Sequence, residues 1–212
     1  MADGVLLVIS GEELQSFHNH LKYDKSYTAE ILFGIKTDSY DVLGIPKVGN
    51  FDVAREAIVG ELSKIKDKLE FKYPPFSSYR IKGKPLFKWA LDGRLDEIEI
   101  PKKEVKIHNL KIDKIKEVEG VIVKKKILNK IKNVTGDFRQ EEILKSWNQL
   151  FSNGIPDYFK IARVKIHCES GFYVRSLAEK IGESLGAGSL LFNLTRTKVG
   201  EWGLEESVWP YY

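Results

Sequence analysis

Apolar and polar side chains alternate in two segments of the chain, and this alternation predicts half-buried β-strands. Residues 163–168 switch between basic or histidine side chains and Val or Ile, ending at Cys168, and residues 27–34 show the same period of two. A turn at Gly171 ends the first of these patterns. Further strands are predicted over residues 106–112 and 120–127. The apolar run at residues 5–9, within residues 3–10, predicts a short strand or a helix–strand junction.

A period near four residues predicts helices in other segments. In residues 177–185, leucine and isoleucine recur every four positions, and Gly186 stands where a left-handed C-cap is expected. Ser176 and Glu179 have the spacing of a capping box, which predicts the beginning of this helix. Further helices are predicted from an N-cap at Asp52 to Leu69, over residues 86–90, and from Asp137 to Phe151. Strands and helices together favour a single α+β domain over residues 1–212.

Composition excludes several classes of protein. The chain has 212 residues, of which 42% are hydrophobic, so it can build a core without a cofactor or cross-link. Its single cysteine, Cys168, cannot form an internal disulfide and lies on the apolar side of its strand, which favours a core role and a reducing compartment. No apolar run reaches membrane-spanning length. We therefore expect a soluble cytoplasmic protein that does not bind membranes.

Positive charge is concentrated in one part of the chain. The net charge is +4, but residues 101–132 hold eleven lysines and four acidic residues, which gives 11 − 4 = +7. Such a lysine-rich field attracts polyanions such as nucleic acid. The alternative is a solvated lysine-rich surface with no ligand.

Two segments contain candidate functional residues. Arg175 lies near the beginning of a predicted helix, where the helix dipole favours anions, so we expect a carboxylate or phosphate partner for its guanidinium. Arg80, Lys82 and Lys84 are interleaved with aromatic residues in a proline-containing loop, a composition suited to contact with RNA. The alternatives are a surface arginine and an ordinary turn.

Four separated segments resemble one family in the same order. The segments are M-A-D-G-V-L-L-V-I-S-G-E, K-S-Y-T-A-E-I-L-F-G-I-K-T-D-S-Y-D-V-L-G, P-P-F-S-S-Y-R-I-K-G-K, and C-E-S-G-F-Y-V-R-S-L followed by L-G-A-G and L-T-R. Each motif alone is weak, but four in order are specific. On these motifs the chain resembles the TruB-type tRNA pseudouridine synthases over nearly its whole length. This resemblance implies an α+β fold with a mixed, largely antiparallel sheet flanked by helices, incomplete at its N-terminus.

The resemblance also implies a function and a set of site residues. Enzymes of this family isomerise uridine to pseudouridine, typically in the T-loop of tRNA at position 55, without a metal or organic cofactor. The chemistry needs an ionised carboxylate, a cation beside it and an aromatic surface for the base. By resemblance, Arg175 pairs with the carboxylate and Tyr27 stacks on the base, while Tyr173 and Leu194 line the pocket. The basic loop residues would contact the T-arm of tRNA, and we expect a monomer.

The chain departs from the family pattern at its beginning. The family's nucleophilic aspartate stands two positions before the one that Met1 occupies, and Asp3 matches a variable position rather than the nucleophile. The family's first strand and its additional C-terminal RNA-binding domain are also without a counterpart in the printed sequence. Three hypotheses follow: a synthase whose coding region begins upstream, a catalytically inactive RNA-binding relic, or a lysine-rich structural RNA-binding module.

One pair of histidines and one pair of aspartates are not expected to bind a metal ion. His18 and His20 form an H-x-H pair, but no third ligand has suitable spacing. Asp38 and Asp41 lie in a loop rich in turn residues, so we expect them to make turn hydrogen bonds.

Overall fold

A seven-stranded sheet with helices on both faces forms the centre of the protein, in a computed structural model that describes residues 2–136 and 138–208. The predicted helix start at Asp137 lies outside these residues. The strands are β1 (Ala2–Gly4), β2 (Lys25–Phe33), β3 (Ile35–Thr37), β4 (Pro46–Val48), β5 (Lys68–Lys72), β6 (Arg80–Ile81), β7 (Lys84–Pro85), β8 (Lys102–Glu119), β9 (Tyr158–Cys168), β10 (Ser189–Val199) and β11 (Trp202–Gly203). The α-helices are α1 (Phe17–Leu21), α2 (Arg55–Ser63), α3 (Leu86–Leu91), α4 (Gly120–Lys132), α5 (Gln140–Ser152) and α6 (Val174–Ser184). Short 3₁₀ turns cover Gly11–Ser16, Leu95–Glu97 and Leu204–Glu206.

The order of the strands confirms the predicted fold class. The sheet runs β1-β10-β2-β9-β8-β5, with β11 paired to β10. Only the β1–β10 pairing is parallel, and the other pairings are antiparallel. Two small hairpins, β3–β4 and β6–β7, lie outside this sheet. None of the helices in the described ranges is long and apolar enough to cross a lipid bilayer.

Each face of the sheet packs against its own set of helices, because successive strand residues point to opposite faces. Ala29 and Ile31 belong to a cluster that includes apolar side chains of α2 and α6, which we call the first core. Leu32 belongs to a second cluster with apolar side chains of α4 and α5, which we call the second core. Candidate site residues Tyr27, Tyr173 and Leu194 all pack against the first core.

The strand predicted over residues 120–127 is wrong, because this segment belongs to helix α4. Val123, Ile127 and Ile131 are fully buried at a spacing of four residues, while Lys125 and Lys126 are exposed on the outer side of the helix. The apolar start of the segment resembled a strand, and its period emerges only over three turns. The apolar run at residues 5–9, predicted as a short strand or a helix–strand junction, has no regular secondary structure, and the described strand before it is Ala2–Gly4.

Two helix boundaries also differ from the predictions. Helix α2 ends at Ser63, and Leu69, which was predicted to continue it, lies in β5 after a left-handed residue, Asp67, with φ of 52°. Helix α6 begins at Val174 without the predicted capping box, because the Ser176 hydroxyl donates instead to the carbonyl of Lys72 at 3.1 Å. That hydrogen bond fastens the first turn of α6 to the sheet. Gly186 has the predicted left-handed conformation, with φ of 62°.

Glycine at position 182 is required by the packing of α6, and substitution there should destabilise the protein. A Cβ at Gly182 would lie 2.3 Å from the backbone nitrogen of Ser189, whereas a Cβ at Gly60 in α2 would meet no atom within 4 Å. We expect Gly182→Ala to lower the free energy of unfolding by about 2–3 kcal/mol. The matched Gly60→Ala change should raise it by about 0.5–1 kcal/mol. Urea denaturation measures both, and equal effects would contradict the packing described for α6.

Candidate functional site

The guanidinium of Arg175 is held by three acceptors from two loops. Its Nη1 donates to the carbonyl of Ser39 at 3.2 Å and to Oδ2 of Asp41 at 3.2 Å. Its Nη2 donates to the carbonyl of Phe76 at 3.3 Å. The side chains of Arg175 and Asp41 are only 22% and 12% exposed, so this is a largely buried ion pair. Arg175 therefore has a carboxylate partner among the described residues, but this partner is Asp41 and not the upstream aspartate that the resemblance implies.

Asp41 was expected to make only turn hydrogen bonds. That expectation is correct for its Oδ1 atom, whereas Oδ2 accepts a hydrogen bond from Arg175. Oδ1 accepts from the hydroxyl of Ser39 at 2.7 Å and from the backbone nitrogen of Leu43 at 3.0 Å. The Thr37 hydroxyl donates to the Asp41 carbonyl at 2.7 Å. Because Oδ1 is fixed by the loop, Oδ2 is aimed at Arg175. The T-D-S-Y-D motif contained this residue, but no pattern in the sequence indicated that it faces a helix 134 positions away.

The loop that carries Asp41 is joined to the main sheet. Asp41 forms a parallel bridge with Leu191 on β10, and the backbone nitrogen of Leu191 donates to the carbonyl of Tyr40 at 2.9 Å. Tyr40 has a left-handed backbone, with φ of 66°, a conformation that is costly for a residue with a bulky side chain. The ion pair therefore lies at the edge of β10, at the N-terminal end of α6.

Tyr27 and Leu194 lie on the same face of the sheet as the ion pair but farther along the strands. Leu194 is opposite Ala29, and Tyr27 is opposite Arg196. Leu191, which bridges to Asp41, is opposite Ile31 on β2. Tyr27 is four residues before Ile31 and therefore lies about 13 Å from it along the strand. No hydrogen bond joins Tyr27 to Arg175 in the described part of the chain. The structure thus places these residues along one face rather than in direct contact.

The phenol of Tyr27 is neutral at ordinary pH. Burial raises its pKa, and proximity to Cys168 adds to this, while Arg196 opposes it. A neutral phenol can donate a hydrogen bond and offers an aromatic surface. Burial also raises the pKa of the Cys168 thiol to about 12, which supports the expected core role of this cysteine rather than a nucleophilic one.

Aromatic rings extend the site beyond Tyr173. The ring of Tyr173 lies edge-on to Tyr73, with centroids 5.7 Å apart, and edge-on to Phe71 at 6.2 Å. Tyr73 in turn stacks on Tyr79, with centroids 4.0 Å apart and planes inclined by 23°. Sequence analysis noted aromatic residues in this loop but did not identify this ring cluster. Its geometry depends on contacts between α6 and the loop after β5.

The three basic residues predicted to meet RNA lie on the β6–β7 hairpin, but they differ in availability. Arg80 donates to the carbonyl of Gly83 at 2.7 Å. Lys84 forms an ion pair with Asp92 and lies 4.6 Å from the ring centroid of Trp89. Lys82 is exposed and makes no hydrogen bond or ion pair within residues 2–136 and 138–208. Of the three, Lys82 is the most available to a phosphate.

Arg139 links the two loops that hold Arg175. Its Nη1 pairs with Oδ2 of Asp38 at 3.0 Å, and its guanidinium lies 4.3 Å from the ring centroid of Phe76. Asp38 belongs to the loop of Asp41, and its Oδ1 accepts from the backbone nitrogen of Ile45 at 2.8 Å, which is the expected turn bond. A second arginine thus fastens together the same loops from the side of α5.

A buried acid on α6 gives a testable dependence on pH. Burial, with a smaller contribution from the Glu183 carboxylate, raises the pKa of Glu179 to about 7, and Oε2 of Glu179 is buried without a hydrogen-bond partner. Because the folded state holds this proton more tightly than the unfolded state, stability should fall as pH rises from about 4.5 to 7. We expect Glu179→Gln to stabilise the protein by about 1 kcal/mol at pH 8, allowing for solvent screening, and by much less at pH 4.5.

Urea denaturation at both pH values measures this difference. Glu142→Gln, at an exposed position in the first turn of α5, is the matched control and should give no gain in stability at pH 8. A Glu179→Gln protein with no gain in stability at pH 8 would contradict the raised pKa of Glu179.

Comparison with known proteins identifies the relatives of this chain. Residues 1–128 match the family described as TruB family pseudouridylate synthase (N terminal domain). The tRNA pseudouridine synthase B of Borreliella burgdorferi (strain ZS7) is 28% identical over 215 residues, which cover 97% of this chain and 58% of the relative. That of Francisella tularensis subsp. novicida (strain U112) is 30% identical over 210 residues, which cover 98% of this chain and 55% of the relative. The chain thus spans somewhat more than half the length of these curated relatives.

A solved structure has the same fold. A chain in the crystal structure of a Cbf5-Nop10-Gar1 complex matches 95% of this chain with a TM-score of 0.51, at 15% identity and over 38% of its own length. At that identity the match supports the fold alone. The family match, in contrast, confirms the resemblance that was drawn from the four sequence segments.

Proposed function

Because this chain belongs to the TruB family of pseudouridine synthases, we propose that it forms a single catalytic domain over residues 1–212 of an enzyme that converts uridine to pseudouridine. The proposed substrate is the T-loop uridine at position 55 of tRNA, which the enzyme reaches through the T-arm, as a monomer in the cytoplasm. The buried Arg175–Asp41 pair, on the face of the sheet that also bears Tyr27 and Leu194, carries this proposal.

The strand register supports a position for the family's nucleophilic aspartate beside this pair. The resemblance places that aspartate two positions before Met1. Strand β1 runs parallel to β10, with Ala2 opposite Leu194. Counted back along this register, the aspartate falls near Leu191, which is the residue bridged to Asp41. A carboxylate there would lie close to the guanidinium of Arg175.

Each residue then has a role in the reaction. Arg175 keeps the nucleophilic carboxylate ionised, since an adjacent cation favours the charged form. Asp41 is a positioning residue that orients Arg175. The target base leaves the stack, and the aspartate attacks C1′ of the ribose as the N-glycosidic bond breaks and the base departs with the bonding electrons. The ring then turns, and C5 attacks C1′ and displaces the aspartate. C5 loses its proton and N1 gains one, so the product is an isomer of the substrate. Tyr27 stacks on the base and assists proton movement, while Tyr173 and Leu194 line the pocket.

The proposal is tested with unmodified tRNA transcript and nucleoside mass spectrometry. The chain is prepared with a G-x-L-D-P segment placed before it, and a matched protein carries alanine in place of that aspartate. We expect pseudouridine in the T-loop with the first protein and none with the second. Binding of tRNA without product from either protein would favour an inactive RNA-binding relic. Absence of both binding and product would favour a structural module.

The β6–β7 hairpin gives a separate prediction for RNA binding. Lys82 is exposed and unpaired in the described ranges, so Lys82→Ala should weaken binding of tRNA and reduce the slope of log affinity against log salt by about 1. Lys145→Ala removes the same charge from an exposed position on α5, across the sheet, and should leave the slope unchanged. Equal slopes for both variants would exclude Lys82 from the RNA interface.

A further inference from the structure

Three potential metal ligands from distant parts of the chain meet at one end of the sheet. Ligand atoms of Asp24, His108 and His167 all lie within 4.8 Å of one another. Nε2 of His108 is 2.9 Å from Oδ2 of Asp24, and the rings of His108 and His167 have centroids 4.8 Å apart. In the part of the chain that the structure describes, this is the one cluster of three such side chains.

A β-bulge explains why the two histidines meet. Ile107 is opposite Cys168 and Asn109 is opposite His167, so His108 is an extra residue in β8 without a partner in β9. A bulge bends its strand and re-aims the side chain of the extra residue. Here it brings the His108 ring beside His167 and against Asp24, which directly precedes β2.

A neighbouring hydroxyl orients the second histidine. Nδ1 of His167 is 3.1 Å from the hydroxyl of Ser26, in the strand next to β9. With Nδ1 engaged, Nε2 is the ring nitrogen left for another ligand. Histidines that bind metals are commonly fixed by such a hydrogen bond from the other ring nitrogen.

We propose that Asp24, His108 and His167 bind a zinc-type divalent transition-metal ion. Two imidazole nitrogens and one carboxylate oxygen are a ligand set that zinc accepts, with a fourth position for water. Mg²⁺ prefers oxygen ligands and should not compete. A groove of about 450 Å³, lined in part by Ser26, Thr28 and His167, adjoins the cluster and leaves room for the fourth ligand.

Positive charge near the cluster opposes the binding of a cation. Lys111 and Lys165 are opposite each other on the same face of the sheet and repel a cation. Binding must therefore come from direct coordination rather than from the electrostatic field. The bound ion would join β2, β8 and β9 next to Tyr27, and would stiffen the strand that carries this residue.

This site departs from the sequence-based expectation of no metal. That expectation considered His18 with His20 and Asp38 with Asp41, two pairs whose members are close in the sequence. The three residues proposed here are separated by 84 and 59 positions (108 − 24 and 167 − 108), and only the sheet brings them together.

Calorimetric titration of chelator-treated protein with ZnCl₂ tests the proposal without RNA. The titration should show one zinc ion bound per chain. In thermal denaturation, the melting temperature should rise by about 5–10 °C when free zinc is about one hundred times the dissociation constant. His108→Ala and His167→Ala should each abolish this rise. His18→Ala, outside the cluster, is the matched control and should retain it. MgCl₂ should produce no rise.

A second measurement uses the wild-type protein and so does not depend on how well the variants fold. Co²⁺ added to the wild-type protein should give the visible d–d absorption of a low-coordinate site with nitrogen ligands, and excess Zn²⁺ should remove it. No zinc binding by the wild-type protein, or zinc binding that survives His108→Ala, would overturn the proposal. Neither result would bear on the proposed synthase activity, which is measured on tRNA.

Discussion

Replacement of Arg175 by methionine is expected to slow the proposed formation of pseudouridine about 10²–10³-fold, the usual effect of removing one preorganised hydrogen-bond donor from an active site. Methionine keeps much of the side-chain length but leaves the Asp41 carboxylate, only 12% exposed, without its cation. The proposed nucleophile would also lose the charge that keeps it ionised. The rate constant for a single turnover on tRNA measures the effect, with saturating protein that carries the added G-x-L-D-P segment.

Two further substitutions separate the roles of the pair. Arg175→Lys keeps the charge but cannot reach the carbonyls of Ser39 and Phe76 and the Asp41 carboxylate together, so we expect only partial recovery of the rate. Asp41→Asn should lower the single-turnover rate while tRNA affinity stays close to that of the wild type, as expected for a positioning residue. Full activity in Arg175→Met would exclude the proposed site.

Replacement of Trp147 by alanine is expected to lower the free energy of unfolding by about 3–5 kcal/mol. Trp147 is fully buried in the second core and stacks on Phe151, with centroids 5.4 Å apart. Its indole nitrogen donates to the carbonyl of Gly44 at 3.1 Å, in the loop that carries Asp41. Alanine would therefore leave both a cavity and an unsatisfied carbonyl. Urea denaturation followed by circular dichroism measures the loss.

A second variant divides this effect between packing and hydrogen bonding. Trp147→Phe retains most of the apolar contact and removes the donor to Gly44, so it should cost less than the alanine variant, with about 1 kcal/mol from the hydrogen bond. A Trp147→Ala protein as stable as the wild type would mean that α5 does not pack on the sheet as described.

The sequence predicted those parts of the fold where local pattern and tertiary structure agree. Alternation in residues 27–34 and 163–168 corresponds to β2 and β9, since each strand has helices packed on the face that carries its apolar side chains. Helix α6 was predicted for a similar reason, because its buried residues recur at helical spacing. The strand predicted over residues 120–127 was wrong because a short apolar run has no clear period until the rest of α4 is included.

The site could be predicted only in part, because its contacts join distant residues. Arg175 was correctly expected to need an acidic partner, from its place near a helix N-terminus. The partner, Asp41, is fixed by a loop whose position depends on Leu191 and on α6. The Asp24, His108 and His167 cluster likewise depends on a bulge in β8, which no sequence pattern indicated.

The bridge made by Arg139 restrains the two loops beside Arg175. Arg139 pairs with Asp38 and stacks on Phe76, and these two loops also provide the acceptors for Arg175. Two arginines from different helical segments therefore cross-brace the same pair of loops. Neither loop can swing outward alone without breaking contacts to both guanidinium groups. The two loops should open and close in concert, and their backbone amides should exchange hydrogen at matching rates.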